Sequence, residues 1–193
     1  MDLTQGTFQE KKDRSRKMML WFAMISMFMT FAGLTSAYIV SQERPDWLDS
    51  LVLPTAFFYS TLVIIVSSIT FHLAKVSIQK GLRQATTMYL LLTLTLAAAF
   101  VILQFVGFNE IIANKFFFTG KSSSVTSSFI YIITGVHLLH VAAGIIVLLV
   151  VIYNHFKQKY KQGQTLGLEL GAMFWHFLDV LWVFLFLFLY FLS

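Results

Sequence analysis

The stretch GAMFWHFLDVLWVFLFLFLY, residues 171–190, decides the fold class of this chain. It is almost entirely apolar and aromatic, and at about 1.5 Å per residue a helix of this length crosses a hydrocarbon core of about 30 Å. It nevertheless carries His176 and Asp179 several residues in from either end. A carboxylate at that depth costs at least ~2.5 kcal/mol on insertion scales unless a partner or water compensates it. We therefore expect a membrane-spanning helix with one polar face.

The polar pair of this helix has a spacing of three, which places His176 and Asp179 on the same face. Trp175 and Trp182 flank Asp179 at i−4 and i+3 and share part of that face. No nucleophile or set of metal ligands accompanies the pair in the sequence. The pattern therefore favours a helix that binds a neighbouring helix through its polar side over a catalytic site.

The composition indicates a membrane protein with several spans. Of its 193 residues, 58% are hydrophobic and only 12% are charged, whereas about 25% of the residues in a soluble domain are charged. The chain has no Cys, which excludes disulfides, thiolate metal sites and copper centres built on Cys. We do not interpret the net charge of +5 as nucleic-acid binding, because basic residues in the loops of such a protein report its topology.

Five long apolar segments follow a polar tail, residues 1–17, and predict a five-helix transmembrane bundle of the all-α class. The expected spans are 18–41, 53–74, 85–108, 126–153 and 168–192. The connections are too short to fold alone, so we expect residues 1–193 to form one domain. The Ser/Thr-rich run at 122–128 predicts N-cap oxygens for the fourth span. Glu169 falls in the first turn of the fifth span, where the helix dipole favours a negative charge.

The distribution of Lys and Arg predicts the orientation of the bundle. The tail and the loops at 75–84 and 154–167 together hold eleven of them, and the other two loops hold three. Because cytoplasmic loops of membrane proteins are enriched in Lys and Arg, we expect the N-terminus inside and the C-terminus outside.

The fourth segment contains a second polar motif, GVHLLHVAAG, at residues 135–144. His137 and His140 share one face at a spacing of three, and Gly144 continues that face four residues on. The interpretation that we favour is that both imidazoles are neutral and hydrogen-bond to the backbone or to a neighbouring helix. Because a short loop joins the fourth and fifth spans, we expect them to be antiparallel neighbours and Asp179 to join His137 or His140 in a buried hydrogen-bonded cluster.

A metal or haem site is the alternative for these histidines. A haem with two His ligands needs them on facing sides of a gap, normally from different helices, and a metal shared by one helix face needs further ligands. The candidates elsewhere are His72 and His176, and neither belongs to an obvious second pair. We therefore predict no metal-binding, cofactor-binding or catalytic residue in this chain.

Taken together, the two motifs resemble subunit III of the haem–copper oxidases. The family pattern Gly-x-His-x-x-His-Val-x-x-Gly is matched at 135–144. The pattern Gly-x-Glu-x-x-x-x-x-Trp-His-Phe-x-Asp-x-x-Trp-x-Phe is matched within 167–186, at every fixed position. Phe31–Leu34 with Ala37-Tyr38 resembles the third helix of the seven-helix form, and Gln104 matches a family glutamine. The similarity covers roughly residues 16–193.

The sequence departs from the family pattern at two carboxylates. Where the family usually has Ser-Glu in the first of these spans, this chain has Ser26-Met27. Where the family has Gln-x-x-Glu, this chain has Gln-Phe-Val-Gly at 104–107, so Gly107 replaces the carboxylate. A proton-uptake role assigned to those carboxylates does not carry over. The two N-terminal helices of the seven-helix form have no counterpart here, so we expect bound phospholipid between this bundle and a neighbouring subunit.

The resemblance implies a non-catalytic subunit III of a respiratory terminal oxidase in a bacterial cytoplasmic membrane. Haem and copper would lie in subunits I and II, and this chain would pack against subunit I, bind lipid and support sustained oxygen reduction and proton pumping. A larger respiratory assembly is a further conceivable partner. Family-motif positions with structural or lipid-contact roles are expected at His137, His140, Gly144, Glu169, Trp175, His176, Asp179, Trp182 and Gln104.

Several alternatives stay open. A cytochrome c oxidase is expected ahead of a quinol oxidase or a homologue associated with nitric oxide reductase. In a different class, a free-standing proton or ion carrier would line its path with intramembrane His and Asp side chains, but we see no inverted repeat or broken helix. A membrane cytochrome is the third class.

Overall fold

The computed structural model describes residues 7–45, 47, 53–114, 116, 118, 124–160 and 165–192. Within those ranges the chain is helical and contains no strand. All five helices are long and apolar enough to cross a membrane, which confirms the predicted fold class. The helices are α1 (Phe8–Ser41), α2 (Thr55–Gln79), α3 (Arg83–Ala113), α4 (Val125–Phe156) and α5 (Leu166–Leu192).

The helices extend beyond the predicted apolar spans because polar caps prolong them. α1 begins at Phe8, well inside the polar tail, behind a capping box. In this box the Thr7 backbone N–H donates to Glu10 Oε2 at 2.8 Å and the Glu10 backbone N–H donates to Thr7 Oγ1 at 3.4 Å. Capping of this kind satisfies backbone N–H groups that a helix start leaves free.

Two predicted helix starts are confirmed. Ser124, within the Ser/Thr-rich run, is the N-cap of α4 and forms a capping box with Ser127. At the start of α5, Glu169 lies in the first turn, and Thr165 donates its hydroxyl to Glu169 Oε1 at 2.7 Å. Pro54 is the N-cap residue of α2.

α5 is the central helix of the bundle. It packs against α1, α2 and α4, while α2 and α3 form a long antiparallel pair. Of the most apolar window in each helix, 56% is buried in α5 and 17% in α1. α1 is therefore a peripheral helix, and the aromatic core, which includes Phe71, Phe100, Trp175 and Trp182, surrounds α5.

Candidate functional site

The polar side of α5 faces α2. Trp175 Nε1 donates to Ser67 Oγ at 3.1 Å, and Trp182 Nε1 donates to Thr61 Oγ1 at 3.0 Å. The sequence analysis did not select these α2 hydroxyls. A signal was present, because Ser60-Thr61 and Ser67-Ser68 recur seven residues apart and so share one helix face.

His176 belongs to the same contact between α2 and α5. Its Nδ1 and Ser68 Oγ form a hydrogen bond of 2.6 Å. On its other side, the ring centroid of His176 lies 6.2 Å from that of His72, which is exposed on α2. We call the set Thr61, Ser67 and Ser68 of α2 with Trp175, His176, Asp179 and Trp182 of α5 the α2–α5 seam.

Asp179 lies buried in the α2–α5 seam, with only 3% of its surface exposed. Asp179 lies near Ser68, but neither of its carboxyl oxygens has a hydrogen-bond partner among the described residues. The expected hydrogen-bonded cluster that joins Asp179 to His137 or His140 of α4 is therefore wrong. Its physical reason is the rotation of α5, which turns the polar face to α2.

His137 is fully buried among aromatic rings from three other helices. Its ring centroid lies 6.2 Å from Phe31, 6.2 Å from Phe100 and 5.1 Å from Trp182. Neither ring nitrogen has a hydrogen-bond partner among the described residues, so the expected hydrogen bond is absent there. His137 therefore packs α4 against α1, α3 and α5 through its ring faces and edges.

His140 makes the expected hydrogen bond to the backbone. It is half-buried, and its Nδ1–H donates to the Val136 carbonyl of its own helix at 2.8 Å. Its ring lies 5.6 Å from the Phe31 ring of α1. The two histidines of the motif thus contact the same phenylalanine from one helix face.

Gly144, the last residue of the motif at 135–144, lies at a close approach between α4 and α5. A Cβ at this position would lie 2.7 Å from Leu178 Cδ1 and 3.3 Å from two ring carbons of Trp175. Small residues of this kind let membrane helices pack closely. At Gly144, α4 therefore packs closely on α5 because no side chain stands between them. The hydroxyls that bond to the α5 tryptophans lie on α2.

The remaining family-motif residue, Gln104, joins α3 to α2. Its Nε2 donates to Ser60 Oγ at 2.8 Å, deep in the core. One turn further, at the position where the family usually has a carboxylate, Gly107 is buried against the Phe57 ring. A side chain at position 107 would collide with that ring. The Phe57 ring therefore fills the space next to the position where the family has a carboxylate.

A groove between α1 and the paired α4 and α5 opens near the α4–α5 loop. Its polar mouth is a cavity of about 750 Å³ lined in part by Arg16, Lys159 and Tyr160. Its body is a mostly apolar cavity of about 520 Å³ that Met27 and Phe174 help to line. Burial raises the pKa of the Tyr160 phenol above its usual value. The groove has the two-part polarity of an amphiphile.

The described residues contain no group of three His, Asp or Glu side chains that could hold a metal ion. The polar side chains of the α2–α5 seam are instead engaged in contacts between helices. No hydroxyl there is paired with both a base and a group that orients that base, the arrangement that nucleophilic catalysis requires. This arrangement holds α2 and α5 together, and His72 is exposed beside it.

Comparisons with known proteins agree with the resemblance that the two motifs indicated. The sequence model of the family described as cytochrome c oxidase subunit III matches residues 5–193. A cytochrome c oxidase subunit 3 from Pelomedusa subrufa is 31% identical over 200 residues, which cover 96% of this chain and 74% of the relative. A cytochrome bo(3) ubiquinol oxidase subunit 3 from Pseudomonas aeruginosa is 29% identical over 174 residues, covering 88% and 81%. The chain belongs to the cytochrome c oxidase subunit III family, within the haem–copper oxidases.

Proposed function

We propose that this chain is the subunit III of a respiratory haem–copper terminal oxidase and carries no redox centre of its own. The observation that carries the proposal is the family match over residues 5–193. It is supported by the α2–α5 seam, in which the Trp indole N–H groups of α5 donate to hydroxyls of α2 and His176 Nδ1 is hydrogen-bonded to Ser68 Oγ. Haem and copper would be held by subunits I and II, and oxygen reduction and proton pumping would occur there.

In this proposal the bundle supports its partners by packing against subunit I. α1 and the outer faces of α2, α3 and α4 expose large apolar side chains, among them Phe22, Ile69, Ile102 and Ile146. Such surfaces suit acyl chains as well as other transmembrane helices. The chain would then reside in a bacterial cytoplasmic membrane and would bind no nucleic acid. A larger respiratory assembly is a further conceivable partner.

Phospholipid is the ligand that we propose for the groove beside α1. Arg16 and Lys159 at its mouth can bind a phosphate, while Met27 and Phe174 offer an apolar bed for an acyl chain. Mass spectrometry of the complex in mild detergent should detect retained phospholipid. Arg16→Ala with Lys159→Ala should reduce retention of anionic lipid, whereas equal retention in the variant would place the lipid elsewhere.

The electron donor separates two versions of the proposal. Relatives of this chain are named as subunits of both cytochrome c oxidases and a ubiquinol oxidase, and we favour the cytochrome c branch. A purified complex that oxidises reduced cytochrome c and not quinol supports this version. Oxidation of quinol alone would assign the chain to the other branch.

Purification tests the proposal as a whole. A subunit III should migrate with haem-bearing polypeptides in mild detergent, and the complex should consume oxygen. A free-standing proton or ion carrier would instead migrate alone, and the proposal would then be rejected. A Soret band that belongs to the isolated chain would show a membrane cytochrome.

A further inference from the structure

The first part of α1 is held on the bundle by few contacts. The buried residues of α1 all lie beyond the segment 8–23; they are Met24, Phe31, Thr35 and Tyr38. Met24 itself packs in a small cluster with Phe174 and Leu178, apart from the main core. Membrane helices associate through close packing and through bonds between helices, and the segment 8–23 contributes no buried side chain to such packing. We call residues 8–23 the α1 arm.

The polar side chains of the α1 arm bond within their own helix. Gln9 Nε2 donates to Asp13 Oδ1 at 3.3 Å, and the same Asp13 oxygen lies 3.9 Å from Arg16 Nη1. Among the described residues, no hydrogen bond or ion pair joins the arm to α4 or α5. The arm is therefore attached to the bundle mainly through the rest of α1.

The opposite end of α1 is firmly anchored. Tyr38 is fully buried and its hydroxyl donates to the Leu192 carbonyl at 3.2 Å, while Gln42 Nε2 donates to the same carbonyl at 3.1 Å. The Tyr38 ring also packs against the rings of Phe129 and Phe188, at centroid distances of 5.8 Å and 5.4 Å. α1 is thus fixed at its C-terminal end and loosely held at its N-terminal end.

A weak part of the helix separates the two ends. The Thr30 hydroxyl donates to the Ser26 carbonyl one turn earlier, at 3.0 Å, and side-chain bonds of this kind often bend helices. Gly33 follows about one turn later, where a Cβ would meet nothing within 4 Å, and Gly weakens a helix by about 1 kcal/mol relative to Ala. Residues 26–33 are therefore the pivot about which the α1 arm can tilt.

The α1 arm forms one wall of the groove between α1 and the paired α4 and α5. At the mouth of the groove, Arg16 comes from the arm and Lys159 from the connection after α4, with Asp13 beside Arg16. Arg16 and Lys159 carry two positive charges and Asp13 one negative charge, which leaves a net charge of +1. This charge complements the single negative charge of a phosphodiester. Arg16 and Lys159 lie outside the predicted apolar spans, whereas Leu20 and Phe174 in the body of the groove lie inside them.

The size of the groove decides between a lipid chain and a partner helix. The body of the groove has a volume of about 520 Å³. A helix about 10 Å wide fills about 420 Å³ in each turn of about 5.4 Å, so the body would hold little more than one turn. A transmembrane helix therefore does not fit, whereas an acyl chain, a single file of methylene groups, does.

We propose that the α1 arm closes over a phospholipid bound in this groove, and that Arg16 and Lys159 bind its phosphate from two sides. The proposal rests on the proposed function and adds that the lipid sets the position of α1. Without a phosphate, the two cations repel each other and the arm tilts outward about the pivot. A phosphate between them draws both walls together through charged hydrogen bonds. The acyl chain packs against Leu20 and Phe174 and supplies apolar contact that the arm otherwise lacks.

The absence of Cys from the sequence allows spin labels to be placed at chosen positions of this chain. Ser15→Cys on the α1 arm and Phe156→Cys at the end of α4 replace exposed residues that do not line the groove. Double electron–electron resonance measures the distance between the two labels in the purified complex. The unsubstituted complex, labelled in the same way, gives the background from thiols of other subunits.

The matched control pair joins the same two helices near their other ends. Val40→Cys and Ile132→Cys replace exposed residues of α1 and α4, and Val40 lies two residues beyond the anchored Tyr38. Ser15 lies about 20 Å from the pivot, so a tilt of only about 10° moves it by about 3 Å. The control distance should not change when the arm tilts.

The labelled complexes are compared in nanodiscs of phosphatidylglycerol and of monogalactosyl diacylglycerol, a lipid that has acyl chains but no phosphate. In phosphatidylglycerol the distance between the labels at positions 15 and 156 should be more narrowly distributed and shorter by about 3 Å. Adding Arg16→Gln and Lys159→Gln should abolish this difference between the two lipids. Inorganic phosphate added to the galactolipid nanodiscs should not restore the shorter distance.

Three results would overturn the closing of the arm. These are equal distances in the two lipids, a difference that survives the double substitution, and closure by inorganic phosphate alone, which would assign the mouth to a free anion. All three are read on complexes that contain haem. If the chain does not co-purify with haem-bearing subunits, the proposed function itself fails.

Discussion

Trp182 of α5 donates its indole N–H to Thr61 Oγ1 of α2 across 3.0 Å, and both side chains are buried. The same hydroxyl donates to the Phe57 carbonyl one turn earlier, at 2.8 Å. Thr61 therefore both donates and accepts, and its position is held by its own helix. Because the Thr61 hydroxyl is held in place, its bond to Trp182 fixes the position of α5 along α2.

The Trp182–Thr61 bond should have a measurable but small coupling energy. We expect Trp182→Phe and Thr61→Val each to lower the free energy of unfolding, and the double-mutant cycle to give about 0.6 kcal/mol of coupling, the average for such bonds in membranes. Unfolding of the purified chain in mixed detergent micelles measures it. Thr95→Val with Trp182→Phe is the control cycle, because exposed Thr95 bonds to its own helix. Equal coupling in both cycles would contradict the assignment.

Close packing of α4 on α5 should make Gly144 sensitive to a single methyl group. Gly144→Ala places a Cβ 2.7 Å from Leu178 Cδ1, and overpacking of this kind typically costs about 1–3 kcal/mol. The matched control is Gly33→Ala in α1, where a Cβ would meet nothing within 4 Å. Gly33→Ala should leave stability unchanged or raise it slightly, because Ala favours helices. Thermal unfolding of both variants in the same detergent compares them, and similar losses would refute the packing argument.

The fold could be predicted because membrane spans depend on the length and hydropathy of a segment, and both can be read from the sequence. The helix ends could not, since Thr7 with Glu10 and Ser124 with Ser127 extend helices by capping outside the apolar stretches. The partner of the α5 polar face was also mispredicted. The polar face itself was predicted from His176 and Asp179, but the pattern of one helix does not say which neighbour that face meets, and the short α4–α5 loop only made those helices plausible neighbours.

His140 should be dispensable for the haem spectrum of the oxidase. It is half-buried and its Nδ1–H donates to the Val136 carbonyl, so we predict a packing role at the α1–α4 contact. His140→Gln should keep the absorbance spectrum and weaken retention of this chain during purification. Lost haem absorbance with the complex still assembled would indicate ligation instead.

The predicted orientation depends on charge alone. Three of the counted residues, Lys115, Lys121 and Lys161, lie outside the described residues, and the bias of eleven to three comes from the sequence. Because cytoplasmic loops are enriched in Lys and Arg, reporter fusions after Gln42 and Ser193 should report the outer side. A fusion after Gln79 should report the cytoplasm. An outer-side signal there would refute the five-span orientation.

Asp179 is the side chain whose burial is least compensated. Its two carboxyl oxygens lack hydrogen-bond partners among the described residues. Replacing a buried polar group that gains little from its surroundings by an apolar one of similar size is often neutral or stabilising. We therefore expect Asp179→Leu to preserve folding, and Asp179→Asn, which keeps the shape, to do the same.

If Asp179 serves packing alone, both variants should assemble with haem-bearing subunits and sustain oxygen consumption over many turnovers. The haem-to-protein ratio measures assembly, and oxygen uptake in reconstituted vesicles with a pH indicator measures turnover and pumping. Ser68→Ala is the companion variant, because it removes the hydroxyl that also binds His176 and leaves the carboxyl in place. It should destabilise the α2–α5 contact more than either substitution at Asp179. Assembly of both Asp179 variants with reduced pumping or a shortened turnover lifetime would show instead that the carboxyl takes part in proton movement.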